Sequence, residues 1–226
     1  MKSNLLARYL SRPRYNRYLA ATRNDKRRAE KLYNGNIRLA QAFHPLLSQF
    51  EVVLRNSLND VLIRQFGDTD WIINQKSGFM SDRTLSHKRY FLRGCVQKSE
   101  SKLITVGIPL SSGKIVSDQT LGFWTSFYTS IHYGLVRGQP IHVFSHKPRS
   151  ENRASIHRKL EDIQRFRNRV NHCEPICFNN HIIDCAHALD IQTKLFDLVS
   201  WIEPELVPFF TKLDNTQTKI NQILLI

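Results

Sequence analysis

Apolar residues recur at three- and four-residue spacing in the first third of the chain, a period that belongs to a helix rather than a strand. Leu46, Leu47, Phe50, Val53, Leu54, Ser57, Leu58, Val61 and Leu62 form one such face. The pattern predicts helix nearly throughout residues 25 to 66, with Pro45 in the first turn of a second helix and Gly67 as its stop. A weaker helical pattern covers residues 82 to 104. Gly107, Pro109 and Gly113 crowd the next stretch, which reads as a loop; a short strand would also fit there. Residues 119 to 136 hold Phe123, Trp124, Phe127, Tyr128 and Tyr133 and form a candidate core helix. A loop follows around Pro140 and Pro148.

From Glu151 the spacing of Ile156, Leu160, Ile163, Phe166 and Val170 marks an amphipathic helix. Pro175 disfavours helical geometry at Glu174, so this helix is expected to end near His172 or Cys173. Residues 180 to 202 predict another helix, with Ile182, Ile183, Ala186, Leu189, Phe196 and Val199 inward. Pro204 and Pro208 break the chain before a final helix or two. The expected fold class is all-α, a bundle of roughly five to seven helices. Trp71, Trp124 and Trp201 are expected in its core.

Composition narrows the picture. At 226 residues and 41% hydrophobic content, the chain fits one packed helical domain over residues 25 to 226, preceded by a basic arm or helix over residues 1 to 24. The 33 Lys and Arg against 19 Asp and Glu give a formal net charge of +14. A surface this basic draws polyanions, nucleic acid first and an anionic membrane surface second. Arg8, Arg12, Arg14, Arg17 and Arg23 are interleaved with Tyr9, Tyr15 and Tyr18, in a stretch without Asp or Glu. Arginines there could hold phosphates and tyrosines could stack on bases. The same composition fits a solvated arm and superficially resembles an organellar transit peptide. Lys147, Arg149, Arg153, Arg158 and Lys159 add positive charge further on. No apolar run is long enough to span a bilayer. A cytoplasmic location with free thiols is the expectation. Cys173, Cys177, His181 and Cys185 recur every fourth residue, but four successive turns of a straight helix are too long for one zinc ion. Neither a metal nor a cofactor is expected.

The segment Arg165-Phe166-Arg167-Asn168-Arg169-Val170-Asn171-His172 carries candidate chemistry. Phe166 and Val170 belong to the buried stripe, so the polar residues between them sit on anchored backbone. Asn168 and His172 are one turn apart and share a face. An arginine can bind the phosphoryl oxygens on which charge builds when RNA is cut, and a histidine can move protons near neutral pH. That combination suits RNA cleavage without a metal ion; by themselves the same residues fit a solvated helix end.

Three segments together resemble the Abi-like abortive-infection proteins of the HEPN superfamily. Arg167-Asn168-Arg169-Val170-Asn171-His172-Cys173-Glu174-Pro175-Ile176 resembles their Arg-to-His signature. Leu121-Gly122-Phe123-Trp124 resembles their Phe-Gly-Phe-Trp stretch, and Glu51-Val52-Val53-Leu54-Arg55-Asn56 their Glu-x-x-x-Arg-Asn helix. The resemblance extends over residues 25 to 205 and implies a HEPN-like helical bundle with additional peripheral helices. It further implies a metal-independent endoribonuclease, acting as a toxin-like effector in phage defence. Arg167, His172 and Asn168 are then the catalytic residues, with Glu51, Arg55, Arg169, Asn171 and Glu174 supporting. Arg8, Arg12, Arg14, Arg17 and the basic residues at 147 to 159 would contact RNA. The implied assembly is a two-fold dimer with both motifs in one cleft, restrained by an antitoxin protein or RNA. Relatives commonly carry two consecutive histidines where this chain has His172 and Cys173. Glu51 and Arg55 also fit an ordinary ion pair one turn apart. A basic helical protein that binds RNA without cutting it is the alternative.

Overall fold

The computed structural model describes residues 5, 8, 9 and 11 to 226. The remainder of the predicted arm (residues 1 to 4, 6, 7 and 10) lies outside the described residues. The chain is predominantly α-helical, as its periodicity predicts, with one two-stranded antiparallel hairpin. In chain order the α-helices are α1 (Arg12–Ala21), α2 (Lys26–Phe66), α3 (Trp71–Asn74), α4 (Phe91–Thr105), α5 (Ser112–Asp118), α6 (Leu121–Ser126), α7 (Ser130–Leu135), α8 (Arg153–Asn171), α9 (Ala186–Ile202), α10 (Val207–Leu213) and α11 (Thr216–Leu224). The hairpin strands β1 (Phe178–Asn179) and β2 (Ile182–Ile183) separate α8 from α9. No helix among the described residues is long and apolar enough to cross a membrane.

The contacts divide the chain into two compact units. One comprises residues 1–48, 165–197 and 206–226 and holds the Arg-to-His motif; the other comprises residues 49–164 and 198–205.

In the motif unit, the first half of α2 is the backbone of the packing. Ala29, Leu32, Asn36, Leu39, Phe43 and Leu46 are buried at helical spacing. The helix does not restart at Pro45 as its sequence suggests, but runs through it over 41 residues. Proline there removes one main-chain hydrogen bond, a cost of about 3 kcal/mol. Burial of apolar residues on either side, at about 1.5–3 kcal/mol each, outweighs it. The start of α8's last turns is anchored by Phe166, edge-on to Phe43 with ring centroids 4.7 Å apart.

The arm is helical from Arg12 and packed rather than solvated. Tyr15 and Tyr18 are buried, and Tyr18 meets Tyr33 and Phe178 edge-on at 5.3 and 5.2 Å. Neither tyrosine can stack on a base, which corrects that reading of the sequence. Tyr9 is exposed, with the Arg8 guanidinium over its ring.

The predicted helix over residues 180 to 202 is shorter. Phe178 pairs with Ile183 and Asn179 with Ile182, and Asn180 takes a left-handed φ of 51° to close the turn. Asparagine tolerates that conformation, and its own amide competes with helical bonding. The Asp184 carboxylate then accepts from the Ala186 N–H at 2.7 Å and starts α9.

The second unit is built on aromatic packing of Phe66, Trp71, Phe79, Phe123, Trp124 and Phe127. The predicted helix over residues 119 to 136 is two short ones, α6 and α7. The Ser126 and Thr129 hydroxyls donate to the carbonyls of Gly122 and Ser126 at 2.6 and 2.8 Å, which competes with helix propagation. Likewise, the helix expected over residues 82 to 104 is split in two, a 3₁₀ helix at Arg83–Lys88 capped by Asp82 and α4 from Phe91, with Arg89 and Tyr90 both at positive φ between them. The loop expected between residues 105 and 114 gives way to α5 at Ser112, and no strand forms there. Asn152 caps α8 by accepting from Ala154 and Ser155 N–H groups at 2.9 and 3.1 Å. The three tryptophans are core, as expected.

His132 is buried in this unit, with Nδ1 3.1 Å from the Ser126 carbonyl oxygen. Burial pushes its pKa below the ordinary histidine value, against the opposing pull of the Ser126 carbonyl. The folded state thus binds fewer protons than the unfolded state near the unfolded pKa of about 6.5, so stability rises with pH through that region and is lost below it. The thermal midpoint should fall between about pH 7 and pH 5, and more steeply in the wild type than in His132→Asn. Parallel slopes in differential scanning fluorimetry would refute the assignment.

Candidate active site

The Arg-to-His motif occupies the last two turns of α8 and the segment that leaves it. The His172 N–H still donates to the Asn168 carbonyl at 2.9 Å, so the expected one-turn relation of Asn168 and His172 holds. Cys173 then turns left-handed at φ 52°. The Cys173 N–H donates back to the Val170 carbonyl at 3.1 Å and the Glu174 N–H to the Arg169 carbonyl at 2.9 Å. This is a Schellman C-cap, with His172 as the last residue before the turn. The apolar contact that often closes such a cap is replaced by an ion pair, Arg169 Nε to Glu174 Oε2 at 3.6 Å.

A cysteine in the left-handed region costs more than glycine, which has no Cβ to clash. Cys173→Gly should therefore raise unfolding free energy by roughly 0.5–1 kcal/mol in urea titration. A loss of stability instead would show that the cysteine side chain contributes a contact that outweighs its strain.

Several polar main-chain groups beyond the cap have an identified partner. The His172 carbonyl accepts from Arg14 Nη2 at 3.3 Å. The Glu174 carbonyl accepts from Asn36 Nδ2 at 3.3 Å, and Ile176 N–H donates to Asn36 Oδ1 at 2.7 Å. The Pro175 carbonyl accepts from the Arg169 guanidinium. Pro175, Ile176, Cys177 and Phe178 are buried, so an unpaired group here would be costly. Asn36, itself buried, thus bridges the segment on both sides of Pro175. It was not among the residues singled out in the sequence.

These contacts hold backbone and leave side chains presented. Asn168, Asn171 and His172 are exposed, and none of their side chains bonds to another described residue. Arg167 is half-buried. Beside them, Asn171, Val170 and Cys173 line a groove of about 590 Å³ with Asn36, Ile37, Ala40, Gln41, His44 and Pro45 of α2. His44, an exposed imidazole with Nδ1 3.5 Å from the Ser48 hydroxyl, is a second titratable group at this groove. Sequence reading found no pattern in it.

The other candidates are distributed as follows. Arg14 joins the motif through the His172 carbonyl, and Arg17 lies over the Phe178 ring at 5.6 Å. Arg8 and Arg12 are exposed. Glu51, Arg55, Lys147, Arg149, Arg153, Arg158 and Lys159 belong to the second unit. Arg55 donates to Asn56 Oδ1 and the Ser117 carbonyl at 3.2 and 3.4 Å. Arg153 donates to the Tyr128 carbonyl at 2.8 Å and lies over Tyr133, and Lys159 lies over Trp201 and 3.9 Å from Glu151. These two cations are spent within their unit, whereas Arg149 and Arg158 are exposed. The Leu121-Gly122-Phe123-Trp124 stretch forms α6, and a Cβ on Gly122 would meet the Gln164 amide at 3.0 Å. The Thr125 hydroxyl donates to Gln164 Oε1 at 2.6 Å, three residues before Arg167 on α8.

Cys173, Cys177, His181 and Cys185 do not share a helix. Cys173 is exposed, and Cys177 and Cys185 are buried beside the hairpin as free thiols. Burial pushes the Cys185 thiol up to about 11 and the Cys177 thiol higher still. Among the described residues, no group of three His, Cys, Asp or Glu side chains could hold a metal ion. No family model, curated protein or solved structure matches the chain.

Proposed function

We propose that this chain is a metal-independent endoribonuclease of the HEPN type, acting as a toxin-like effector in abortive-infection defence. The observation that carries the reading is the presentation of His172. Its main chain is locked by the C-cap, Arg14 and the Asn36 bridge, while its imidazole is exposed, and its chain neighbours Asn171 and Cys173 line a groove. A proton-transfer group benefits from this arrangement, since its backbone cannot drift and its ring can reach substrate.

The chemistry follows from the residue types. The 2′-hydroxyl gives up its proton to a base as its oxygen bonds to the adjacent phosphorus. The bond from phosphorus to the 5′-oxygen breaks, and that oxygen takes a proton from an acid. Arg167 offsets the charge that builds on the phosphoryl oxygens. One imidazole cannot be acid and base in the same step. A two-fold dimer supplies both, with His172 opposite the partner's His172. The three-segment resemblance supports the same assembly, and an antitoxin protein or RNA would restrain it.

The test is cleavage of RNA by purified protein in EDTA, with mapping of the new ends. The expected products carry 2′,3′-cyclic phosphate and 5′-hydroxyl termini, and Arg167→Ala and His172→Ala preparations should not form them. Cleavage that requires added divalent metal would overturn the proposal, as would activity surviving both substitutions. RNA binding of equal affinity in wild type and His172→Ala, with no cleavage by either, would establish a non-catalytic RNA-binding protein instead.

A further inference from the structure

Three hollows of the motif unit follow one another along α2, each adjoining pair sharing two lining residues. The first is a cleft of about 450 Å³ between α2 and α11, lined by the cations Arg28, Lys31, Arg38 and Lys219. A smaller hollow of about 300 Å³ shares Arg38 and Lys219 with it and adds Gln41 and Pro45. Gln41 and Pro45 in turn line the 590 Å³ groove that reaches Asn171 and Cys173. No side-chain carboxylate lines any of the three. Arg28 is partly engaged, donating from Nε to the main-chain oxygen of Ile226 at 2.7 Å. Lys31, Arg38 and Lys219 make no ion pair with a described residue. Gly35 forms part of the cleft floor, where α11 comes so close that a Cβ would meet Ile223 Cγ1 at 2.9 Å.

We propose that this cleft is a phosphate-binding site for single-stranded RNA, and that the strand leaves it along α2 toward His172. Arg28 is met by the oxygen of Ile226, but Lys31, Arg38 and Lys219 have no such partner among the described residues and repel one another, so their proximity is favourable when an anion sits among them. A polyanion fits better than a lone phosphate because the hollows continue. From Lys31 to Pro45 the helix advances about 21 Å at roughly 1.5 Å per residue, enough for several nucleotides. The chemical character changes along the way. Cations dominate the first cleft, whereas Ile37, Ala40, Pro45 and Val170 make the wall near the motif apolar. A strand whose phosphates engage the cleft would lay base faces on that wall. Recognition of this kind tolerates any base sequence.

The destination of the strand rests on the ribonuclease reading; the binding site does not. The experiment measures fluorescence anisotropy of a short, labelled 2′-O-methyl RNA, which cannot be cut by 2′-hydroxyl attack, across a salt series. Arg38→Ala/Lys219→Ala should bind about tenfold more weakly, with the salt slope lowered by about two. The control Arg64→Ala/Lys98→Ala removes equal charge from exposed positions in the second unit and should change affinity about twofold or less. Equal losses in both pairs, or none in the first, overturn the site. Circular dichroism melting checks that each variant folds; if the first pair does not, Lys31→Ala, at an exposed position, is expected to lower the salt slope by about one. Cleft-dependent binding by a wild type that never cuts unmodified RNA would retain the site and dismiss the ribonuclease. Cutting without cleft-dependent binding would do the reverse.

Discussion

His172→Ala is expected to slow RNA cleavage by about 10⁴-fold or more, because it removes both imidazoles of the dimer and each general acid or base usually contributes about 10²–10⁴-fold, while leaving the melting temperature close to the wild type. The structure separates these effects. The fold uses His172 through its N–H, given to Asn168, and its carbonyl, held by Arg14. Alanine keeps both groups. The imidazole is exposed and bonds to no other described side chain, so little stability is lost with it. Added imidazole should restore part of the rate, because the vacated position is open to solvent. A large fall in melting temperature would contradict the geometry, and unchanged cleavage would remove His172 from the mechanism. Arg167→Ala makes a useful contrast. Arg167 is half-buried on the same helix, so its removal should cost both rate and some stability, without rescue by imidazole.

What could be read beforehand was set by how local each cause is. The helix carrying the motif and its end were legible because apolar spacing and Pro175 both act within a few residues. The hairpin was not. Ile182, Ile183 and Ala186 mimic helical spacing, while the deciding features are the left-handed Asn180 and the start of a new helix after Asp184. Pro45 argued for a helix break, and packing of α2 on both sides overrode it. Tyr15 and Tyr18 looked like base platforms because their burial depends on Tyr33 and Phe178, far along the chain. Three of the four limits of the two units fall inside α2, α8 and α9 rather than in loops, so no change in composition marks them. Asn36 had a usable signal, a polar residue within the apolar series Leu32, Leu39, Phe43. Its meaning required its partner, 140 residues away.

That residue carries the second large effect. Asn36→Ala is expected to lower unfolding free energy by about 2–4 kcal/mol, from loss of a strong hydrogen bond, a weaker one and the shielding of a buried N–H. The bond from Ile176 N–H is the short one at 2.7 Å, and Ile176 is buried, so alanine leaves that N–H without its protein acceptor. Against a typical total of about 5–15 kcal/mol, the loss is large enough to read in urea or thermal unfolding. Asn36→Asp discriminates the two bonds: its carboxylate can accept from Ile176 but meets the Glu174 carbonyl with a lone pair instead of a donor. It should therefore be destabilised as well, and recover as pH falls and the carboxyl becomes a donor again. The same substitutions should slow cleavage even under conditions where the protein remains folded, because Asn36 fixes the segment that follows His172. Wild-type stability in Asn36→Ala would show that the turn is held by the C-cap and Arg169 alone. Lost stability with an unaltered cleavage rate in the folded fraction would show that the clamp serves the fold and leaves the imidazole indifferent to it.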